Sequence, residues 1–154
     1  MLKDIIYYIL AKHTNTTTFS NARITKLIYL SDWKSCLERG HQITNIEWFF
    51  DYYWPFVRDI ENEIDKNPDL FIVEAMANGV FGGNRKIFAI KNDNYTPSVS
   101  EEEQKYINFV IEKTSSMWFS EFIKYVYSTY PIYKSRKFEK LDLSSLATEY
   151  KQLS

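Results

Sequence analysis

Residues 24–60 read ITKLIYLSDWKSCLERGHQITNIEWFFDYYWPFVRDI. An apolar helical stretch runs to a glycine, a polar link follows, and an aromatic block is broken at a Trp-Pro step before helical spacing resumes. Ser20 precedes the first stretch as an N-cap, and Ile24, Leu27, Ile28 and Ser31 recur at helical intervals. Leu30, Trp33 and Leu37 form a second row, so the apolar stripe is wide enough for a helix buried on more than one side. Lys34, Glu38 and Arg39 occupy the remaining face. Gly40 supplies a left-handed residue at little steric cost and ends the helix.

Between Trp48 and Val57 seven of ten residues are aromatic. A helix would spread such a run around its circumference and a strand would divide it between two faces, so one core-facing side cannot absorb it. Either the segment is enclosed completely, or part of it forms a surface that a partner covers. Phenol and indole rings suit both places, since each joins an apolar body to a polar edge. The candidate partner-binding residues are Trp48, Tyr52, Tyr53, Trp54 and Phe56, with Arg58 beside them. Pro55 favours an extended Trp54 and fits the first turn of a helix continuing through Val57, Ile60 and Ile64.

Working outward, Leu2, Ile5, Ile6, Ile9 and Leu10 mark an amphipathic first helix that ends in the threonine-rich stretch 13–18. Asn67-Pro68 closes the helix after Pro55. The runs LFIVEAMA (70–77) and KIFAIK (86–91), separated by Asn78-Gly79 and Gly82-Gly83-Asn84, predict a β-hairpin. A third strand is expected from the link near Ile43 or from the aromatic block. Ser100 and Glu103 have capping-box spacing, and Glu101 and Glu102 suit a helix N-terminus. Tyr106, Phe109 and Val110 give that helix its apolar face. A helix restarting near Ser116 would bury Phe119, Phe122, Ile123 and Val126. Pro131 marks a bend, and Asp142 caps a last helix through Leu143, Leu146 and Tyr150. The expected fold class is α+β, a mainly helical single domain over 1–154 with a small antiparallel β-hairpin or three-stranded sheet.

The totals exclude several function classes. A chain of 154 residues can bury roughly 70% of its unfolded surface in one domain. Aromatic residues make up 18% of it, which argues against disorder. A formal charge of -1 and a pI near 6.1 produce no dominant field for nonspecific nucleic-acid or anionic-membrane binding. The single cysteine excludes an internal disulfide and a cysteine-based zinc cluster. No secretory leader and no membrane span is read, and a cytoplasmic protein is expected.

Cys36, His41 and Asp32 lie close in sequence, but a thiol inside a buried helix is usually inert, and His41 reads as a polar loop residue. Gly82-Gly83 lacks the Gly-Lys-Ser/Thr continuation of a phosphate loop and reads as a turn. Arg85, Lys86 and Lys91, with Lys134, Arg136 and Lys137, could touch phosphates, although six basic residues on two segments are commonplace. Glu61, Glu63 and Asp65 read as a solvated helix face. No enzyme, cofactor or metal centre is expected.

KLIYLSD (26–32), GHQIT (40–44) and YWPFVRDI (53–60) together resemble the Panacea domain, the SocA-like antitoxin family that includes phage-associated GepA-like proteins. YSTYP (127–131) and LDL (141–143) resemble its closing segment. Members usually carry glycine where this chain has Trp54, and tryptophan lacks the conformational freedom of glycine. The resemblance implies an antitoxin of a prophage-type toxin-antitoxin module whose partner is a cognate toxin protein. A subset of the family instead passes the toxin to a Clp-type protease. The alternative reading is a phage or prophage regulatory protein that binds operator DNA through the hairpin. The toxin's identity and the oligomeric state stay open.

Overall fold

The computed structural model describes residues 1–13, 19–51, 55–78 and 83–153. Helix α1 (Leu2–Lys12) buries Ile5, Ile6, Ile9 and Leu10 together with both tyrosines, Tyr7 and Tyr8. Their hydroxyls explain how tyrosine tolerates that burial. Tyr7 donates to the Asn92 carbonyl at 2.6 Å and Tyr8 to Asn108 Oδ1 at 2.8 Å, which ties the helix to two later segments.

Strand β1 (Phe19–Ser20) leads directly into α2 (Asn21–Arg39). Ser20 Oγ accepts from Arg23 N–H at 3.2 Å, and Gly40 adopts φ 86°, so both ends form as the sequence predicts. Between them α2 buries residues on all sides from Ile24 to Cys36. It packs against α1, the hairpin and the two helices α4 and α7 defined below. A helix so enclosed is the axis of the core.

The aromatic block forms β2 (Trp48–Phe50) and β3 (Pro55–Phe56), paired antiparallel, and α3 (Asp59–Asp65) follows. Pro55 therefore does not open the helix. It lies opposite Phe50 on a strand at the sheet edge, where the missing N–H costs no ladder bond. Next, β4 (Phe71–Asn78) and β5 (Gly83–Ile90) make the expected hairpin, with Phe71 opposite Ile90 and Asn78 opposite Gly83. The third strand of that sheet is β1, giving the order β1-β5-β4. Neither the Ile43 link nor the aromatic block supplies it.

Helix α4 (Glu101–Thr114) begins with a complete capping box. Ser100 Oγ accepts from Glu103 N–H, and Glu103 Oε1 accepts from Ser100 N–H, both at 3.1 Å. α5 (Phe119–Ser128) starts three residues later than the spacing suggests, with Trp118 as its N-cap. α6 (Tyr130–Lys134) is a single short turn with Pro131 in its first positions. Then β6 (Lys140–Leu141) returns to pair with β2, closing a second sheet in the order β3-β2-β6. α7 (Leu143–Gln152) is capped by Asp142, whose Oδ1 accepts from Ser145 N–H at 3.2 Å.

Seven helices and two three-stranded antiparallel sheets among the described residues make this an α+β fold, mainly helical. One continuous apolar cluster, from Ile5 to Ala147, runs through it. No helix among the described residues is long and apolar enough to cross a membrane. Ser100→Ala removes one half of the capping box at an exposed helix start. It is expected to lower stability by about 1 kcal/mol, read as a fall in urea midpoint without a change in m-value.

Candidate partner-binding surface

The surface is placed by a buried carboxylate. Asp32 lies on the fourth turn of α2 with no exposed area, yet it accepts five hydrogen bonds from the polar link and the aromatic block. Oδ1 takes the backbone N–H groups of Ile43 and Thr44, each at 2.9 Å. Oδ2 takes the Thr44 hydroxyl at 2.5 Å, the Trp48 indole N–H at 2.9 Å and the Gln42 amide at 3.3 Å. Gln42 also donates to the Thr44 and Ile46 carbonyls, so the link is drawn into one closed turn over the carboxylate. Burial pushes the Asp32 carboxyl up to about 6, while its donors from Thr44, Trp48 and Ile43 hold it down.

Trp48 is thereby fixed in the core, edge-on to Tyr29 at 5.5 Å between ring centroids. Tyr29 is itself wholly buried and hydrogen-bonds Thr129 Oγ1 at 2.8 Å. Since Thr129 donates to the Val126 carbonyl at 2.7 Å, Tyr29 is the donor of the pair. This chain of contacts joins α2, β2 and the end of α5.

Strand alternation then decides which rings face out. Trp48 and Phe50 point inward, whereas Phe49 between them is 44% exposed. Phe49 and Phe138, the latter 61% exposed, both line a hollow of about 430 Å³ that Phe50 and Val57 also line. Glu47, Asp51, Arg58 and Asp59 form its charged rim. Phe138 has φ 70°, a left-handed conformation that costs a non-glycine residue about 1–2 kcal/mol. Two hydrogen bonds frame it, one long-range and one within the turn: Phe138 N–H donates to the Phe50 carbonyl at 2.5 Å, and Glu139 Oε1 accepts from Arg136 N–H at 3.0 Å. Strain of this kind concentrates at functional positions.

Of the six candidate residues, Arg58 lies exposed on that rim. Phe56 is in β3 beside it. Trp48 is corrected to a core residue, because its ring has no solvent-exposed area and its N–H is held by Asp32. Tyr52, Tyr53 and Trp54 lie outside the described residues. Phe49 and Phe138 were missed. Strand parity around the buried Trp48 could have pointed to Phe49, but nothing near Phe138 in the sequence signals its hydrogen bond to the distant Phe50.

A second aromatic groove, of about 660 Å³, opens between α2, α4 and the α5–α7 segment. Trp33, Phe109, Tyr125, Tyr133 and Tyr150 line it, and Lys34 Nζ sits 4.1 Å from the centre of the Phe109 ring. The candidate nucleophile is placed differently. Cys36 is fully buried and burial pushes its thiol up to about 11, so it stays protonated at neutral pH. Among the described residues no group of three or more His, Cys, Asp or Glu is placed to hold a metal ion. Lys86 is paired with Glu61 and Lys134 with Glu149, which offsets two of the basic residues considered for phosphate contact.

The geometry defines a class, a mainly helical α+β domain that presents aromatic hollows with charged rims. The chain belongs to the antitoxin SocA-like family: the family model for the SocA-like antitoxin, Panacea domain, matches residues 24–131. Neither the comparison with curated proteins nor that with solved structures returned a match.

Asp32→Ala leaves five donors without their acceptor and is expected to cost about 3–5 kcal/mol. Asp32→Asn, which keeps one carbonyl oxygen, is expected to cost less. The ordinary carboxyl value is 3.8 and the folded value is raised to about 6. The native state therefore holds this proton more tightly than the unfolded chain. The stability arising from that difference is full below about 3.8 and is lost as pH rises through about 6. Urea titrations across this window should show a decline in wild-type stability that Asp32→Asn lacks.

Proposed function

We propose that this protein is the antitoxin of a two-gene toxin-antitoxin module and neutralises its cognate toxin by direct binding. It acts in the cytoplasm, without catalysis and without a cofactor. Family membership supplies the general role. The observation that carries the direct-binding reading is the pair of exposed rings Phe49 and Phe138 lining a hollow with a charged rim, one of them held in a strained backbone. Large rings framed by charge, with Arg58 at the edge, have the composition of an interface anchor. Tyr52, Tyr53, Trp54 and Phe56 flank this surface in sequence and complete the proposed contact region.

The first test is co-expression with the adjacent open reading frame. Growth rescue together with a stoichiometric complex of the two proteins is the expected outcome. Retention on operator DNA by the protein alone, with no protein complex, would replace this reading with a regulatory one. Toxin half-life separates simple masking from handover to a Clp-type protease, since only handover shortens it.

Phe138→Gly separates binding from folding. Glycine accepts φ 70° without strain but adds unfolded-state freedom, so the two effects oppose each other and the melting temperature should shift little. Loss of the ring should weaken the complex at least about tenfold if it is an anchor. Equal affinity of variant and wild type would remove Phe138 from the contact region.

A further inference from the structure

We infer that the free edge of β4 is a second docking element, which takes an extended, charge-poor segment of the protein partner as an added antiparallel or parallel strand. The inference rests on the direct-binding reading above and names how part of that partner is held.

β4 is the outer strand of its sheet, paired with β5 alone among the described residues. Its ladder phase follows from one bond: Lys91 N–H donates to the Leu70 carbonyl at 2.8 Å. Hydrogen-bonded and non-hydrogen-bonded pairs alternate along an antiparallel ladder. Ile72 and Glu74 therefore exchange bonds with β5, whereas Val73 and Ala75 turn N–H and C=O outward. Phe71 N–H fits the same phase, because it donates at 3.2 Å to the Asn67 carbonyl outside the ladder.

Natural edges of this length are usually shortened, bulged or blocked with Lys or Pro. The sequence FIVEAMAN has one charge and no proline. Ile72, Val73, Glu74 and Ala75 are all exposed in succession, so both faces of this part of the strand are open. Ile72 and Val73, each about 40% exposed, would flank an added strand on opposite faces.

The edge chooses its occupant chemically. A row of outward amides and carbonyls pairs with extended backbone. Glu74 makes no ion pair among the described residues, so a Lys or Arg opposite it completes the match. Eight residues span roughly 26 Å, and such an edge alone buries much less than the ~800 Å² per partner of a stable association. A second copy of this chain held only by β4 would fall short. A partner also held at the Phe49–Phe138 hollow would not.

The test uses the full chain co-expressed with the product of the adjacent reading frame. In the complex, the Val73 and Ala75 amides should become protected from hydrogen exchange, having exchanged freely in the isolated chain. Ala75→Pro deletes an outward N–H that β5 does not use. It should weaken the complex tenfold or more while leaving the melting temperature within a few degrees. Glu74→Lys should weaken it by up to about fivefold, the range of a cross-strand charge pair. Unchanged exchange at Val73 and Ala75 in a complex that does form overturns the β4 inference and leaves the direct-binding reading intact. That exchange readout decides the matter even if Ala75→Pro fails to fold. A concentration-dependent dimer of the chain alone, abolished by Ala75→Pro, would assign the edge to a second copy and also overturn it. Absence of any complex with wild-type protein overturns both readings.

Discussion

The carboxylate of Asp32 governs the position of nearly everything on the surface side of α2. It has no exposed area, and it gathers Ile43, Thr44, Gln42 and Trp48 onto two oxygen atoms. A charge this deep is expensive to desolvate, and only dense hydrogen bonding offsets the cost. The return is geometric. With the link closed over α2, β2 has a single register, so Trp48 and Phe50 face inward and Phe49 faces out. Shifting β2 by one residue would bury Phe49 and expose the indole that Asp32 holds.

The same logic explains the other end of the surface. Phe50 exchanges backbone hydrogen bonds with the segment before β6, donating to Glu139 and accepting from Phe138. The strained φ of Phe138 is therefore a consequence of joining a late segment to an early one within a tight turn. Packing of α7 against α2 and of Tyr29 against Thr129 holds that late segment in place. The exposed ring is thus supported by contacts in the core rather than by its sequence neighbours.

Local signals in the sequence were sufficient for local features. The caps at Ser20, Gly40, Ser100 and Asp142, the wide stripe of α2 and the hairpin pairing all depend on residues a few positions apart. What stayed illegible depends on distant partners. The two-residue strand β1 has no pattern of its own and exists because Phe88 and Ile87 lie beside Phe19 and Ser20. Pro55 satisfied the rule for a helix start and for an edge strand equally, and only pairing with Phe50 decided between them. Counting rings in the aromatic block left complete enclosure and a partly exposed surface both open. Of the rings described there, Trp48 and Phe50 are buried and Phe49 is exposed, a division set by the pairing of β2.

The motif residues that mark the family have mostly interior tasks here. Lys26 is nearly inaccessible and burial pulls its ammonium down to about 8, Tyr29 and Asp32 are hydrogen-bonded in the core, Gly40 turns the chain, and Pro131 is buried at the start of α6. The exposed residues Phe49, Glu74 and Phe138 lie outside those motifs and contribute little to that interior, so their identities can change with little effect on the fold. A scaffold held together by Asp32 can keep its shape whatever side chains stand on the surface above it, which is why the family motifs identify the architecture.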